Sequence, residues 1–429
     1  MKVLLIAYHF PPDPAVGAQR AGHVAEALRA AGHTVKVITA RLPGERDQRR
    51  AVPGLDVRPT RSLPTLRDLY AWGKRQLHVP NTPVRDWPNR VPAWKRHLMS
   101  LMWLPDDRTG FILPALREAR RELRHGIDLV YTTDPPFSAH LVGLALRHAG
   151  GSSVRWAAEF RDPWTDNPGK PAHLRSAWSD AVERWLERQC LRTADHVIAV
   201  TDIARQLLIE KAPDADVARK TIVVRNGIET LSDGVSRRNG NGHRPLRIVH
   251  VGTFYGWRDP RPFLAGLAAA IRQCDAGPVD LEVDLIGDCR WFRDVSVEQI
   301  AAEVGLQGRI RFRDWVPREE AMRAVSDADL LLLLAQNQPA QVPAKLYDYL
   351  GTRIPILAFT DASGEVATML QRAGGHYLVT DHDPAVAARV IGRALRDVRA
   401  SRAPVGDEAV LQKWTLDGQL QHLRATLGD

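Results

Sequence analysis

Short, unbroken apolar runs alternate with segments of helical periodicity along almost the whole chain, and this alternation leaves little choice of fold. Val3–Ala7 is one such run; the loop PPDPAVG follows, and Ala21, Val24, Ala25 and Leu28 then recur at helical spacing before Gly32. A strand buried on both faces, an amphipathic helix and the next run at Val35–Thr39 make a βαβ unit. The scheme repeats at Asp128–Thr132, Val154–Glu159, His196–Val200 and Thr221–Val224. Parallel strands alternating with helices predict a doubly wound α/β domain. After Asn226-Gly227-Ile228 the chain turns polar and rich in Gly, Asn and Arg (SDGVSRRNGNGHRP), the composition of a linker. A second alternation opens at Arg247–Val251 and continues through Val283–Ile286, Ile310–Phe312, Asp329–Leu334 and Ile354–Phe359. Two tandem Rossmann-like domains with parallel sheets are therefore expected, over residues 1–230 and 246–410 with a linker at 231–245. The last segment, 411–429, carries Leu416, Leu420, Leu423 and Leu427 at helical spacing and is read as a docking amphipathic helix.

A length of 429 residues suits two or three domains. The net charge of +9 is distributed unevenly: residues 1–190 hold 29 basic and 19 acidic side chains, residues 191–429 hold 30 and 31. Within the first half, residues 41–100 carry 13 basic and 5 acidic side chains, interleaved with Tyr70, Trp72, Trp87, Trp94 and many prolines. This basic Trp/Pro-rich excursion, taken as 41–110, has two readings. It is an interfacial surface for anionic lipid, where indole sits at headgroup level beside Lys and Arg; or it is an irregular excursion whose Trp residues pack back on the domain. Three scattered cysteines, Cys190, Cys274 and Cys289, fit neither a zinc site nor a disulfide framework, so a reducing, cytoplasmic setting is expected. The N-terminal apolar run is too short for a signal-peptide core, and Leu330–Ala335 falls well below the roughly 18 residues that span a bilayer.

The loop after the first strand has neither the GxGxxG fingerprint nor the GxxxxGK[ST] phosphate loop, which disfavours nicotinamide and P-loop chemistry. Gly17 nevertheless stands where the first helix begins, so bare N–H groups there can face an anion, unless the glycine serves only a tight turn. The paired acids Asp214/Asp216, Asp327/Asp329 and Asp381/Asp383 read as structural, Asp327 and Asp329 suiting a turn before a buried strand, and no zinc or serine-triad motif occurs. More telling is VPAKLYDYLG at 342–351, directly after the LLLLLAQ strand. Pro343 fits the first turn of a helix, placing Lys345 and Asp348 on one face and Leu346 and Leu350 toward the core. A cation and a carboxylate there suit a phosphate and a ribose hydroxyl; the alternative is an ordinary intrahelical ion pair.

Taken together, PPDPAVGAQR, LPDDRTGFILPALR, TDPPFSAH, EFRDPWTDNP, VVRNGIE, HVGTFYGWRDP and VPAKLYDYLGTRIPIL are collinear with the retaining glycosyltransferases of family 4, and the chain resembles that family over nearly its whole length. The resemblance implies the GT-B fold: an N-terminal acceptor domain and a C-terminal donor domain facing a central cleft, with the terminal helix crossing back to the first domain. It implies a nucleoside-diphosphate sugar as donor, no metal and no cofactor. Carried over position by position, Arg258 and Lys345 would bind the donor diphosphate, Gly252 would stand in the donor-binding loop, and Asp348 would touch the ribose. Gly17 would contribute backbone near the phosphate, and Asp162, beside Arg161, would contact the sugar or acceptor hydroxyl. The family's E-x7-E motif is altered, with Asp348 for the second acid and Ala340 for the first.

The expected activity is sugar transfer from that donor to an acceptor hydroxyl with retention of configuration, in surface polysaccharide or glycoconjugate synthesis. If the basic stretch faces an anionic membrane, the expected acceptor is a lipid-linked saccharide at its cytoplasmic face; another lipid, a peptide or a small metabolite are the alternatives. Two other readings remain open: a nucleotide-sugar epimerase of the same architecture, and a non-catalytic binder of anionic lipid or nucleic acid. Nucleic acid is disfavoured, since the basic excess lies in one Pro/Trp-rich stretch without an RNA-binding signature.

Overall fold

The computed structural model describes residues 1–13, 15–42, 44–45, 50–65, 68, 92–150, 154–166, 170, 175–232, 245–254, 256–273 and 280–428. Most of the expected linker, Tyr70, Trp72 and Trp87 of the basic excursion, and Cys274 lie outside the described residues. The chain forms two compact units, Met1–Val224 joined by the residues from His422 onward, and Arg225–Gln421.

The first unit is built on an eight-stranded sheet of β1 (Lys2–Ala7), β2 (Thr34–Ala40), β3 (Arg50–Val52), β4 (Leu55–Thr60), β5 (Leu129–Thr133), β6 (Arg155–Phe160), β7 (His196–Ala199) and β8 (Thr221–Val223). Their order is β3-β4-β2-β1-β5-β6-β7-β8, parallel except for β3 against β4. The sheet thus reverses its direction of growth at β1, with β2 on one side and β5 on the other. Strands 3 and 4 escape a search for apolar runs because β4, LDVRPT, buries only Val57 and Pro59. Pro59 lacks an N–H, and it lies past the short ladder of β3, which ends at Val57.

In the second unit β9 (Leu246–Val251), β10 (Leu281–Ile286), β13 (Ile310–Arg313), β14 (Leu330–Ala335), β15 (Ile356–Thr360) and β16 (Tyr377–Val379) form one parallel sheet; β11 (Trp291–Phe292) and β12 (Val295–Ser296) are a separate hairpin. The sheet order is β13-β10-β9-β14-β15-β16, the doubly wound arrangement with its reversal between β9 and β14. LLLLLA of β14 shows why such a strand reads as a solid apolar run. Leu330, Leu332 and Leu334 enter the core on one face with Phe263 and Leu267, while Leu331 and Leu333 enter the other with Leu346 and Tyr349. Both faces are covered, so no position can be polar without a partner.

The terminal helix, Leu416–Leu427, buries Leu420, Leu423 and Leu427. Its end counts with the first unit, where Arg155 donates to the Leu427 carbonyl at 2.9 Å. Among the described residues no helix is long and apolar enough to cross a membrane.

Candidate functional site

Ligands of doubly wound sheets gather outside the carboxyl ends of the strands, at the point where the strand order reverses. In the second unit that point holds the residues singled out in the sequence. Gly252 follows β9 directly, and the Ala344–Thr352 helix follows β14. Gly252 has φ +133°, and a Cβ on it would lie 2.6 Å from Lys345 Nζ. Only glycine both adopts this backbone and admits the ammonium so close.

Lys345 Nζ stands 3.2 Å from His250 Nε2, and His250 Nδ1 stands 2.9 Å from the Leu332 carbonyl. A carbonyl only accepts, so Nδ1 carries the imidazole proton and Nε2 offers its lone pair to the lysine. Burial, then the charge of Lys345, holds His250 well below the usual imidazole range, which keeps it neutral. Burial of the ammonium end and the nearby Arg258 guanidinium together lower Lys345 to about 7. Among the described residues no carboxylate pairs with Lys345. Cys289, whose Sγ is 3.1 Å from the Gly252 carbonyl, is pushed by burial up to about 12 and remains a thiol.

Arg258 is carried on the loop after β9. Gln336 Nε2 donates to the Asp259 carbonyl at 2.8 Å and Asn337 Nδ2 to the Trp257 carbonyl at 3.4 Å, tying that loop to the end of β14. The arginine's field reaches both Lys345 and His250. Two basic groups therefore stand near one another at the carboxyl end of the sheet.

Lys345 and Asp348 do not form the intrahelical pair that their spacing permits. Asp348 receives Arg318 at 2.9 Å instead, and the same guanidinium reaches Glu229 at 3.0 Å. Burial raises the Asp348 carboxyl against the pull of Arg318. Ala340 lies between β14 and the helix. The acids that follow β15 are already engaged: Asp361 accepts from the Asn337 and Gln338 amides at 3.0 Å each, and Glu365 pairs with Arg225 at 2.8 Å.

The first unit has its own cluster at the ends of β1, β5 and β6. Gly17 lies in the first turn of the Val16–Ala30 helix, and its carbonyl accepts from Arg161 Nη1 at 3.0 Å. A Cβ at Gly17 would come within 2.6 Å of Arg161 Nη2. The Arg161 amide donates to Asp134 Oδ1 at 2.7 Å and its Nε to the Asp134 carbonyl. Asp162, half-buried, donates its amide to the same carboxylate at 3.4 Å. Asp134 is fully buried beside His140 at 3.3 Å, and burial raises its carboxyl. One layer below, Glu159 accepts from Arg20 at 2.6 Å, Tyr131 at 2.9 Å and Thr133 at 2.7 Å. Burial opposes its charge, but Arg20 and the hydrogen bonds prevail and hold the carboxyl below the usual range.

Four of the six paired acids bond the backbone, and Asp216 instead pairs with Arg219 at 2.6 Å and Lys220 at 3.1 Å. Asp214 and Asp383 cap helices, Asp381 accepts from the Asp383 amide, and Asp329 accepts from the Arg247 amide.

Residues 17–227 match the glycosyl transferase 4-like domain family. Over this first half the chain belongs to the family-4 glycosyltransferases, and its two parallel-sheet units have the GT-B fold. It is 27% identical over 225 residues to the D-inositol 3-phosphate glycosyltransferase of Corynebacterium urealyticum, a match covering 50% of this chain and 51% of that protein. The chain thus spans about half the length of the curated relative it matches. Solved structures agree in fold over nearly the whole chain. Anabaena HepE in complex with UDP has a TM-score of 0.62 at 16% identity, covering 100% of this chain and 99% of that one. The Thermosynechococcus elongatus sucrose-phosphate synthase has a TM-score of 0.59 at 16% identity, covering 99% and 95%. A trehalose-6-phosphate protein from E. coli bound with UDP-2-fluoro glucose has a TM-score of 0.62 at 14% identity, covering 99% of each.

Sequence reasoning missed Asp134, Glu159, His250 and Arg318. Asp134 and Glu159 stand inside quoted motifs, and an acid at the end of an otherwise apolar strand was the available signal.

Proposed function

We propose that this glycosyltransferase moves a sugar from a nucleoside-diphosphate donor to an acceptor hydroxyl with retention of configuration. The observation that carries the reading is Lys345 at the β9/β14 reversal: a cation without a carboxylate partner among the described residues, set against a glycine and beside Arg258. Such a group waits for an anion, and two cations match a diphosphate better than a monoanion. UDP, present in the HepE complex, is the first nucleotide to test.

In the proposed reaction the acceptor oxygen attacks the anomeric carbon from the face that the leaving group departs. The bond from the anomeric carbon to the phosphate oxygen breaks, its electron pair stays on that oxygen, and the oxygen takes the acceptor's proton. Arg258 and Lys345 neutralise the departing diphosphate, Asp348 holds the ribose, and the Gly17–Arg161–Asp162 cluster orients the acceptor side. Preorganised charge of this kind supplies catalysis without a strong nucleophile. The reading needs no metal. The acceptor is a lipid-linked saccharide and the product enters surface polysaccharide or glycoconjugate synthesis; the basic, Trp-bearing first half supports this part.

Thermal shift with a panel of nucleoside diphosphates tests the donor side, since a ligand at 100 times its Kd stabilises by about 2.7 kcal/mol. A rise in melting temperature that persists in EDTA supports the reading. No shift with any nucleotide removes it, and a shift only with added metal removes the metal-free form.

A further inference from the structure

The Ala177–Thr193 helix of the first unit is charged the wrong way round for a solvated helix. Its three acids turn inward: Glu183 meets Lys170 at 2.5 Å, Glu187 meets Lys211 at 2.9 Å, and Asp180 lies 3.9 Å from Lys170. Its outward side carries Trp178 and Trp185, 54% and 57% exposed and seven residues apart, so two turns separate them on one face. Arg184, Arg188 and Arg192 share that exposed side. Two open indoles among three guanidiniums, with every carboxylate of the helix on the other side, cost solvation that a water-facing surface would avoid.

The Ala93–Met102 helix packs beside this one. It touches the first helix where Ser100 Oγ meets Ser176 Oγ, the cap of Ala177–Thr193, at 2.8 Å. Trp94, Leu98 and Leu101, spaced i, i+4, i+7, are all exposed, Trp94 by 68%.

We propose that the outward sides of these two helices dock on the surface of an anionic lipid bilayer. Indole rings settle at the headgroup boundary, leucines reach below it, and guanidiniums meet anionic headgroups. Charge complementarity selects this occupant: the arginines face outward without a counter-acid on their helix, and residues 1–190, which include Arg184 and Arg188, hold 29 basic and 19 acidic side chains. The proposal deepens the acceptor reading above, on which its purpose rests, by naming the face that meets the membrane. It moves the expected contact from the 41–100 stretch alone to a surface that includes Trp178, Trp185 and their arginines.

The test is co-sedimentation of the full chain with vesicles of phosphatidylcholine alone or with about 30% phosphatidylglycerol, near 0.1 M and 0.5 M salt. Binding is expected only to the anionic vesicles, with release at the higher salt. Each arginine near such a surface is worth about fivefold, so Arg184→Gln/Arg192→Gln should weaken binding about 25-fold. Trp178→Gln/Trp185→Gln should weaken it by a comparable factor, whereas Trp315→Gln, a still more open indole of the second unit, should change nothing. No binding of the wild type to anionic vesicles at low salt overturns the proposal. So do wild-type affinity in both double variants, and a concentration-dependent dimer that either double variant abolishes. Nucleotide-induced thermal shifts on the same samples separate the two readings. Vesicle binding without any nucleotide shift would sink the donor reading and leave the docking face, and the reverse result would do the opposite.

Discussion

Donor affinity should fall as pH rises through neutrality, because Lys345 in the empty site titrates at about 7. Below that value the ammonium is already charged and meets the diphosphate directly. Above it the amine is neutral, and binding must first draw a proton from solvent. A diphosphate beside the ammonium raises its pKa in the complex, so the apparent Kd scales as about 1 + 10^(pH−7) until that bound-state value is reached. Between pH 6 and pH 8 affinity should therefore drop about tenfold, and about tenfold again by pH 9, since each pKa unit is worth about 1.36 kcal/mol. A nucleotide sugar is the right probe, because its esterified diphosphate lacks the terminal phosphate whose second ionisation falls near pH ~6. Calorimetry in buffers of different ionisation enthalpy should register uptake of up to one proton at pH 8. Lys345→Met should bind more weakly at pH 6 and lose the dependence. Arg258→Ala removes the second-largest cause of the depression, so the midpoint should move upward. Affinity that is flat from pH 6 to 9, or that rises, would refute the assignment of Lys345 to the diphosphate.

Two further perturbations separate binding from folding. Gly252→Ala forces a side chain onto a backbone at φ +133° and within 2.6 Å of Lys345 Nζ, so nucleotide binding should weaken at least about tenfold while far-UV circular dichroism stays unchanged. Glu159→Ala strands the buried Arg20 guanidinium and should cost about 3–5 kcal/mol in urea unfolding followed in the first unit, whereas Asp214→Ala, an exposed helix cap, should cost about 1 kcal/mol.

The fold was legible because burial on both faces writes itself into the sequence as solid apolar runs. Val3–Ala7 and Leu330–Ala335 lie at sheet centres and could be nothing else. Strands that depend on neighbours were not legible. β4 alternates and contains Pro59, β16 has three residues, and β3 exists only through its pairing with β4. The site shows the same division. Lys345 could be found from its place after an apolar strand and before a helix. Its partner His250 lies 95 positions away, and nothing local in RIVHV distinguishes a histidine that meets a carbonyl from one that meets solvent. Glu159 is settled by Arg20, 139 positions distant, and Asp348 by Arg318 rather than by the lysine one turn before it. Local spacing shows which groups can meet; the sheet decides which do.

The central claim is sugar transfer driven by neutralising a departing diphosphate at Lys345 and Arg258. Its most direct test is to incubate the full chain with a labelled nucleotide sugar, with and without a lipid-linked saccharide fraction, beside Lys345→Ala and Arg258→Ala. Labelled product should form only when acceptor is present, and each variant should lose about 10²- to 10³-fold in turnover with the melting temperature preserved. Product that forms without acceptor as an epimerised nucleotide sugar, or turnover within a few-fold of wild type in both variants, would contradict it.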